Sequence, residues 1–242
     1  MKPALLLLPG MLCDEAFWRA QVEGLADLCT PRVMSYGLAD SIGKMAEHVL
    51  GEAPALFALA GHSMGGRVAL EMVKRAPERV LRLGLFCTDY RSHESDAARA
   101  EETFARERLM AHASEHGMAS LARLWFTGLI APEQAGNRKL LDEMTAMGAT
   151  HSPEQFAAEV RAGLSREDQS ELLAAIPCPV LVCAGEKDPL RPAGLHAEMA
   201  AQIPDARLVV IPGAGHMVAM ECPDALTAAM RSWLAPGDAR PH

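Results

Sequence analysis

The sequence predicts an α/β fold: a mostly parallel sheet of about six strands flanked by helices, with a helical lid inserted between two of the strands. Three observations lead there. Short, continuous apolar runs such as Ala4–Leu8 (ALLLL) and Pro179–Ala184 (PVLVCA) stop at Pro or Gly, as strands buried on both faces do. Between such runs lie longer stretches with helical spacing of apolar residues, the alternation that joins parallel strands through helices. From about Arg91 to Ala175 the alternation stops, and helical segments follow one another without a convincing strand.

Taken in order, Ala4–Leu8 is the first strand and Phe17–Leu28 the first helix, followed by a weaker strand at Arg32–Tyr36 and a helix at Ile42–Leu50. Ala55–Ala60 (ALFALA) is a second buried strand. The helix after it, Arg67–Ala76, is closed by Pro77, which lacks the N–H needed to continue. Arg82–Cys87 is a third buried strand. The inserted block reads as helices over Ser95–His112, Met118–Phe126, Ala135–Met147, Pro153–Leu164 and Glu167–Ile176. Pro179–Ala184 and Arg207–Ile211 complete the sheet, separated by a helix over Ala193–Gln202. A last helix runs to Leu234 from Pro223, a residue suited to a first helical turn. Residues 1–89 and 176–242 are therefore expected to form the core and 90–175 the lid. Pro236–His242, with its Pro and Gly, is expected to be a frayed tail.

Composition removes several classes of function. At 242 residues a chain can bury about three-quarters of its surface around one core, without metal or disulfide staples. The balance of 31 acidic against 23 basic residues gives a formal charge of −8, and no basic stripe concentrates the positive charge, so phosphate backbones are repelled and nucleic acid is not an expected partner. Half the residues are hydrophobic and 22% charged, which is wrong for a disordered chain. No apolar run approaches the ~20 residues that span a bilayer. The Ala4–Leu8 run is too short for a signal-peptide core. A cytoplasmic protein with no membrane partner is expected, either monomer or homodimer. The six cysteines form no C-x-x-C pair and no zinc spacing, so reduced, buried thiols are expected, and neither a metal nor an organic cofactor.

The informative segment is Gly61-His-Ser63-Met-Gly65, a G-x-S-x-G lying between a buried strand and a helix. In that context the motif is a nucleophile elbow. Ser63 sits at the tip of a strained turn, Gly61 and Gly65 remove side chains where strand and helix close together, and the following helix aims its positive end at the oxygen that becomes negative during attack. The backbone N–H of Met64 is then the first oxyanion donor. A serine needs a base, and the base needs a carboxylate to hold its tautomer. The strand Pro179–Ala184 runs into Gly185-Glu-Lys-Asp188, and Arg207–Ile211 runs into Pro212-Gly-Ala-Gly215-His216. Loops at the carboxyl ends of parallel strands converge on one crevice, and the chain order Ser, Asp, His is the one the elbow fold uses. Asp89, at the exit of the third strand, is the alternative acid.

With G-x-S-x-G, G-x-x-D and G-x-G-H at Ser63, Asp188 and His216, the sequence resembles the α/β-hydrolase superfamily, in its small lid-bearing branch of esterases, enol-lactonases and carbon–carbon bond hydrolases. The resemblance covers almost the whole chain. It implies a second oxyanion donor at Met11, after Pro9-Gly10, with Pro9 standing where many relatives carry His. The two leading strands common in relatives are not expected in this sequence, and the usual Asp-x-x-Gly-x-Gly stretch is eroded to Ser35-Tyr-Gly-Leu-Ala-Asp40. A Ser nucleophile argues against the dehalogenase and epoxide-hydrolase branches. The implied activity is hydrolysis of a small to medium carboxylic ester or lactone through an acyl-enzyme, with a small ester-like molecule as the partner. A carbon–carbon hydrolase, thioesterase or acyltransferase would use the same triad, and a non-catalytic ligand-binding protein could keep it.

Other residues have a bland reading beside a functional one. His62 is expected to pack under the elbow, and His112 and His116 to face solvent rather than hold a metal. Cys13, Cys87 and Cys183 lack a dedicated base and are expected to be structural. In the lid, Trp125 and Phe126 are candidates for an acyl pocket, within a stripe that otherwise seals lid to sheet. Arg123, Arg138 and Arg161 are expected on the solvated surface.

Overall fold

The computed structural model describes residues 2–235. Among these, six strands form one all-parallel sheet in the order β2-β1-β3-β4-β5-β6, with β1 at Ala4–Leu8, β2 at Thr30–Val33, β3 at Phe57–His62, β4 at Val80–Phe86, β5 at Val180–Gly185 and β6 at Ala206–Ile211. The side chains of β1 alternate across the sheet, as the two-residue period of a strand requires. Leu5 and Leu7 join a core with Phe17, Trp18 and Leu25 of α1 (Glu15–Leu25) and Leu226, Met230 and Trp233 of α11 (Pro223–Leu234). Leu6 and Leu8 enter the opposite core, with Met45 and Val49 of α2 (Ile42–Glu52), Val68 and Met72 of α3 (Met64–Arg75) and Met199 of α9 (Ala193–Gln202).

The connections reverse direction between β1 and β3. The chain leaves β1 toward the edge strand β2, then returns through α2 to place β3 on the other side of β1. A crevice opens beyond the carboxyl ends of strands at such a reversal. The loop after β1 and the turn after β3 meet there. They can meet because α3 lies directly on the backbone of its neighbours. A Cβ on Gly65 would stand 2.3 Å from the Leu8 carbonyl oxygen and 2.7 Å from that of Pro9, and one on Gly61 would stand 2.2 Å from the Gly65 carbonyl.

Between β4 and β5 the chain forms α4 (Asp96–His116), α5 (Met118–Thr127), α6 (Arg138–Ala149), α7 (Pro153–Leu164) and the single turn α8 (Ser170–Leu173). Local signals set their starts: Ser95, Asn137 and Ser152 accept hydrogen bonds from the first-turn N–H groups, and Ser152 with Gln155 makes a capping box. The buried faces of α5, α6 and α7 continue the α1 core.

The expected elements are present, with displaced ends. β2 begins at Thr30 and stops at Val33 rather than Tyr36: the Met34 N–H still reaches the Leu7 carbonyl at 2.9 Å, but beyond it the chain turns away and the Tyr36 hydroxyl donates to the Pro9 carbonyl at 2.9 Å. The helix expected over Glu167–Ile176 shrinks to α8, since Asp168 binds the Ser170 N–H and the Gln169 N–H is taken by the Tyr90 carbonyl. A four-residue helix, α10 (Val218–Glu221), follows His216 and is too short to leave a periodic signal. The expected tail Pro236–His242 lies outside the described residues. No described helix is long and apolar enough to cross a membrane.

The packing of α3 on β1 generates a stability test. Gly65→Ala is expected to cost about 3 kcal/mol or more in denaturant unfolding, because only backbone can yield. Gly51→Ala, in α2 with open space around it, is expected to be neutral or to stabilise by up to about 1 kcal/mol.

Candidate active site

Ser63 connects β3 to α3 with φ 53° and ψ −116°, a conformation that L-residues avoid and that persists only when enforced. Three hydrogen bonds enforce it. The Ser63 N–H donates to the Phe86 carbonyl at the end of β4 (2.9 Å), the Ser63 carbonyl accepts from the Gly66 N–H (3.0 Å), and it also accepts from the Thr88 hydroxyl (2.7 Å). Gly66 has no Cβ because the Thr88 side chain occupies that space, 2.5 Å from where it would be. Thr88 is fixed in turn by His196 of α9, whose Nε2 accepts the Thr88 N–H at 3.1 Å while Nδ1–H donates to the Pro192 carbonyl. Burial lowers the pKa of His196, consistent with this neutral tautomer.

The candidate base and acid, His216 and Asp188, lie in the loops after β6 and β5. His216 Nε2 stands 3.0 Å from Ser63 Oγ, and its Nδ1 stands 2.8 Å from Asp188 Oδ2. Asp188 Oδ1 accepts the N–H groups of Leu190 and Arg191, both at 2.8 Å. Burial alone would raise this carboxyl. The hydrogen bond and charge of His216, with the two N–H groups, outweigh it and hold the carboxyl below the usual carboxylate range. Asp89, the alternative acid, is turned elsewhere: it accepts the Arg91 N–H and lies 3.5 Å from Arg67 and 3.9 Å from Arg191.

His62 packs beneath this group. Its Nε2–H donates to the His216 carbonyl at 2.9 Å, its ring stacks at 4.3 Å on Phe17, and burial lowers its pKa to about 3, so it stays neutral. His62, Cys87 and His216 present ligand-type atoms within 4.8 Å of one another, but both His216 nitrogens are engaged by Ser63 and Asp188. Burial raises the thiols of Cys13 and Cys87 well above their ordinary value, and that of Cys183 to about 12. They are poor nucleophiles in this state.

α3 begins at Met64, so its first N–H groups have no intrahelical acceptor and face the turn at Ser63. Met11 is buried in the loop after β1, held against the elbow where Gly10 abuts His62. Trp125 of α5 lies under the Arg106 guanidinium (4.7 Å), which also reaches the Met11 sulfur at 4.0 Å. Phe126 is fully buried and packs against Gly148 and Ala122, inside the helical segment. Arg123 pairs with Asp142, Arg161 lies 3.7 Å from Asp40, Arg138 is exposed, and His112 bonds Ser120.

Two buried carboxyls had no motif to announce them. Glu221 of α10 accepts three backbone N–H groups: Gly215 (3.0 Å) and Met217 (3.0 Å) on either side of His216, and Ala131 (2.8 Å) from the loop after α5. The His216 N–H donates to Leu129 of the same loop at 2.8 Å. Glu159 of α7 accepts the Leu12 N–H at 2.9 Å, and burial pushes it up to about 8.

That shift has a measurable consequence. Glu159 keeps its proton up to about pH 8 in the folded protein but releases it near its ordinary value of 4.5 when unfolded. The unfolded state therefore binds fewer protons between these limits, and this group lowers stability as pH rises from about 4.5 to 8. Thermal midpoints of Glu159→Gln measured from pH 5 to 8 are expected to gain on the wild type steadily across the range. Parallel curves would refute the buried-acid assignment.

Comparison with known proteins places the fold in a family. The family described as the α/β hydrolase fold matches residues 54–223. A pimeloyl-[acyl-carrier protein] methyl ester esterase of Nitrosomonas europaea is 28% identical over 92% of this chain and 92% of its own. A thermophilic esterase from Thermogutta terrifontis, solved with malate bound, superposes with a TM-score of 0.83 at 29% identity, covering 97% of this chain and 90% of that one. The enol-lactonase from Burkholderia xenovorans LB400 shares the fold, with a TM-score of 0.81 at 22% identity over 97% of this chain and 92% of its own. With its family match extending from before the elbow to beyond His216, the chain belongs to the α/β hydrolase fold family.

Proposed function

We propose that this protein is a serine hydrolase that cleaves a small to medium carboxylic ester or lactone through an acyl-enzyme on Ser63. The observation that carries the reading is the continuous relay from Ser63 Oγ through His216 to Asp188, at 3.0 and 2.8 Å, with the serine held in its strained turn. The similarity to esterases supports ester bonds as the substrate class.

In this mechanism Ser63 Oγ attacks the carbonyl carbon while its proton passes to His216 Nε2. The oxygen that becomes negative is met by the N–H groups of Met64, at the positive end of α3, and Met11. The tetrahedral intermediate collapses, the carbon–oxygen bond to the leaving group breaks, and His216 returns the proton to that oxygen. A water molecule, deprotonated by His216, then attacks the acyl-enzyme and releases the acid. Asp188 orients the imidazole and balances its charge throughout, and its depressed pKa keeps it ionised for that task. Segment 90–175 acts as the lid over this crevice, and Trp125, beside Met11 through Arg106, lines the acyl side of it.

The test is intact mass after exposure to a fluorophosphonate probe, with turnover of an activated ester in parallel. A single adduct mapping to Ser63 and missing from Ser63→Ala is expected. Turnover in that variant should fall on the order of 10⁴- to 10⁶-fold, and Asp188→Asn should lose on the order of 10⁴-fold in kcat. A folded wild type that takes no adduct and turns over no ester would leave a ligand-binding protein as the better reading.

A further inference from the structure

The turn that carries Met11 is fastened from outside the sheet. Leu12, the next residue, has φ 59°, a left-handed conformation that costs a non-glycine residue about 1–2 kcal/mol and needs something to enforce it. The Cys13 N–H closes the turn on the Gly10 carbonyl at 3.2 Å, and the Tyr36 hydroxyl ties Pro9 at 2.9 Å. Neither contact reaches Leu12. Its N–H is held by Glu159 Oε2 at 2.9 Å, from the middle of α7, 147 residues further along the chain. The same side of the inserted segment covers the Met11 side chain, through Gly163 of α7 and Arg106 of α4.

We propose that Glu159 is a positioning residue for acyl transfer: its carboxyl fixes the Gly10–Cys13 turn, and with it the direction of the Met11 N–H, so that the oxyanion hole is complete only when α7 is docked on the core. The inference rests on the serine-hydrolase reading. The surroundings of Glu159 suit the task. The groups facing it are His151, with Nε2 3.6 Å from Oε1, and Cys13 and Tyr36, with the Asp14 carboxylate acting on Cys13 and His151. Burial also lowers the pKa of His151 and raises those of Cys13 and Tyr36, so these three stand uncharged at neutral pH. Glu159, itself protonated at that pH, accepts the Leu12 N–H without putting a full negative charge beside a site that must hold an oxyanion.

Glu159→Met keeps the length of the side chain but loses the acceptor, whereas Glu159→Gln keeps an acceptor oxygen. On p-nitrophenyl butyrate, Glu159→Met is expected to lower kcat about 10- to 100-fold with KM within about threefold of wild type, short of the 10²- to 10³-fold typical when an oxyanion donor is removed outright. Glu159→Gln is expected to restore kcat to within about threefold. Amide exchange over residues 10–13, which needs no substrate, is expected to run about tenfold faster in Glu159→Met and unchanged in Glu159→Gln. If Glu159→Met does not fold, Glu159→Asp, one methylene too short to reach Leu12, takes its place with the same expectation. Wild-type turnover that Ser63→Ala abolishes, combined with an unchanged kcat or unchanged exchange in the acceptor-less variant, overturns this inference alone. So does a loss that falls wholly on KM, or one that Glu159→Gln shares. A folded wild type without turnover overturns the hydrolase reading, and the catalytic part of this inference with it.

Discussion

Backbone touching backbone at the reversal of the sheet is the constraint on which the rest depends. Gly65 of α3 lies against the carbonyls of Leu8 and Pro9, closer than any side chain would permit. That approach sets the helix so that its unpaired N–H groups begin beside the loop leaving β1, and it bends the connection at Ser63 into its left-handed turn. The neighbouring strand then secures the strained residue: Phe86 takes its N–H and Thr88 its carbonyl, with Thr88 filling the space left by Gly66. Strain, helix polarity and the placement of Ser63 are thus one geometric fact seen from three sides.

Three buried carboxyls around this point show how similar contacts give different electrostatics. Asp188 and Glu221 each accept backbone N–H groups, yet the first is shifted down and the second up. The difference is the partner: Asp188 has the imidazole of His216, whereas Glu221 has only backbone N–H groups to lower it, and burial, helped by the nearby charge of Asp188, prevails. Glu159 has a single N–H and is shifted further still. Glu221 and Glu159 each cross-link the helical segment to a loop of the core, one at His216 and one at Leu12. They act alongside the Leu129–His216 backbone bond and the cover over Met11 in joining that segment to the core.

The sheet was legible because its inner strands are buried on both faces and leave apolar runs, whereas the half-exposed edge strand β2 left only a weak one, and the elbow was legible because its glycines are demanded by contact. The order of Ser63, Asp188 and His216 along the chain followed from strand exits. Element ends were not legible where long-range bonds decide them, as when Tyr36 leaves the sheet for Pro9 or Gln169 bonds Tyr90 in place of a helix partner. The helical segment was readable as helices, but not which of its aromatic residues would be interior. Phe126 and Trp125 are adjacent in sequence and differ only by their angle around α5. Glu159, Glu221, Thr88 and His196 carry no local pattern, since each is defined by a contact far away in the chain.

The separation along the chain between Ser63 and His216 has a consequence in time. Ser63 and His216 are 153 residues apart. At ribosomal rates of about 5–20 residues per second, roughly 8–30 s pass between synthesis of the one and synthesis of the other. Over that interval β1, β3 and β4 are available to form the turn at Ser63, so, under the proposed mechanism, a nascent chain would hold the serine in its strained turn before the imidazole that would activate it exists. Hydrolytic capacity would then switch on in a single late step, when β5 and β6 dock and deliver Asp188 and His216 together.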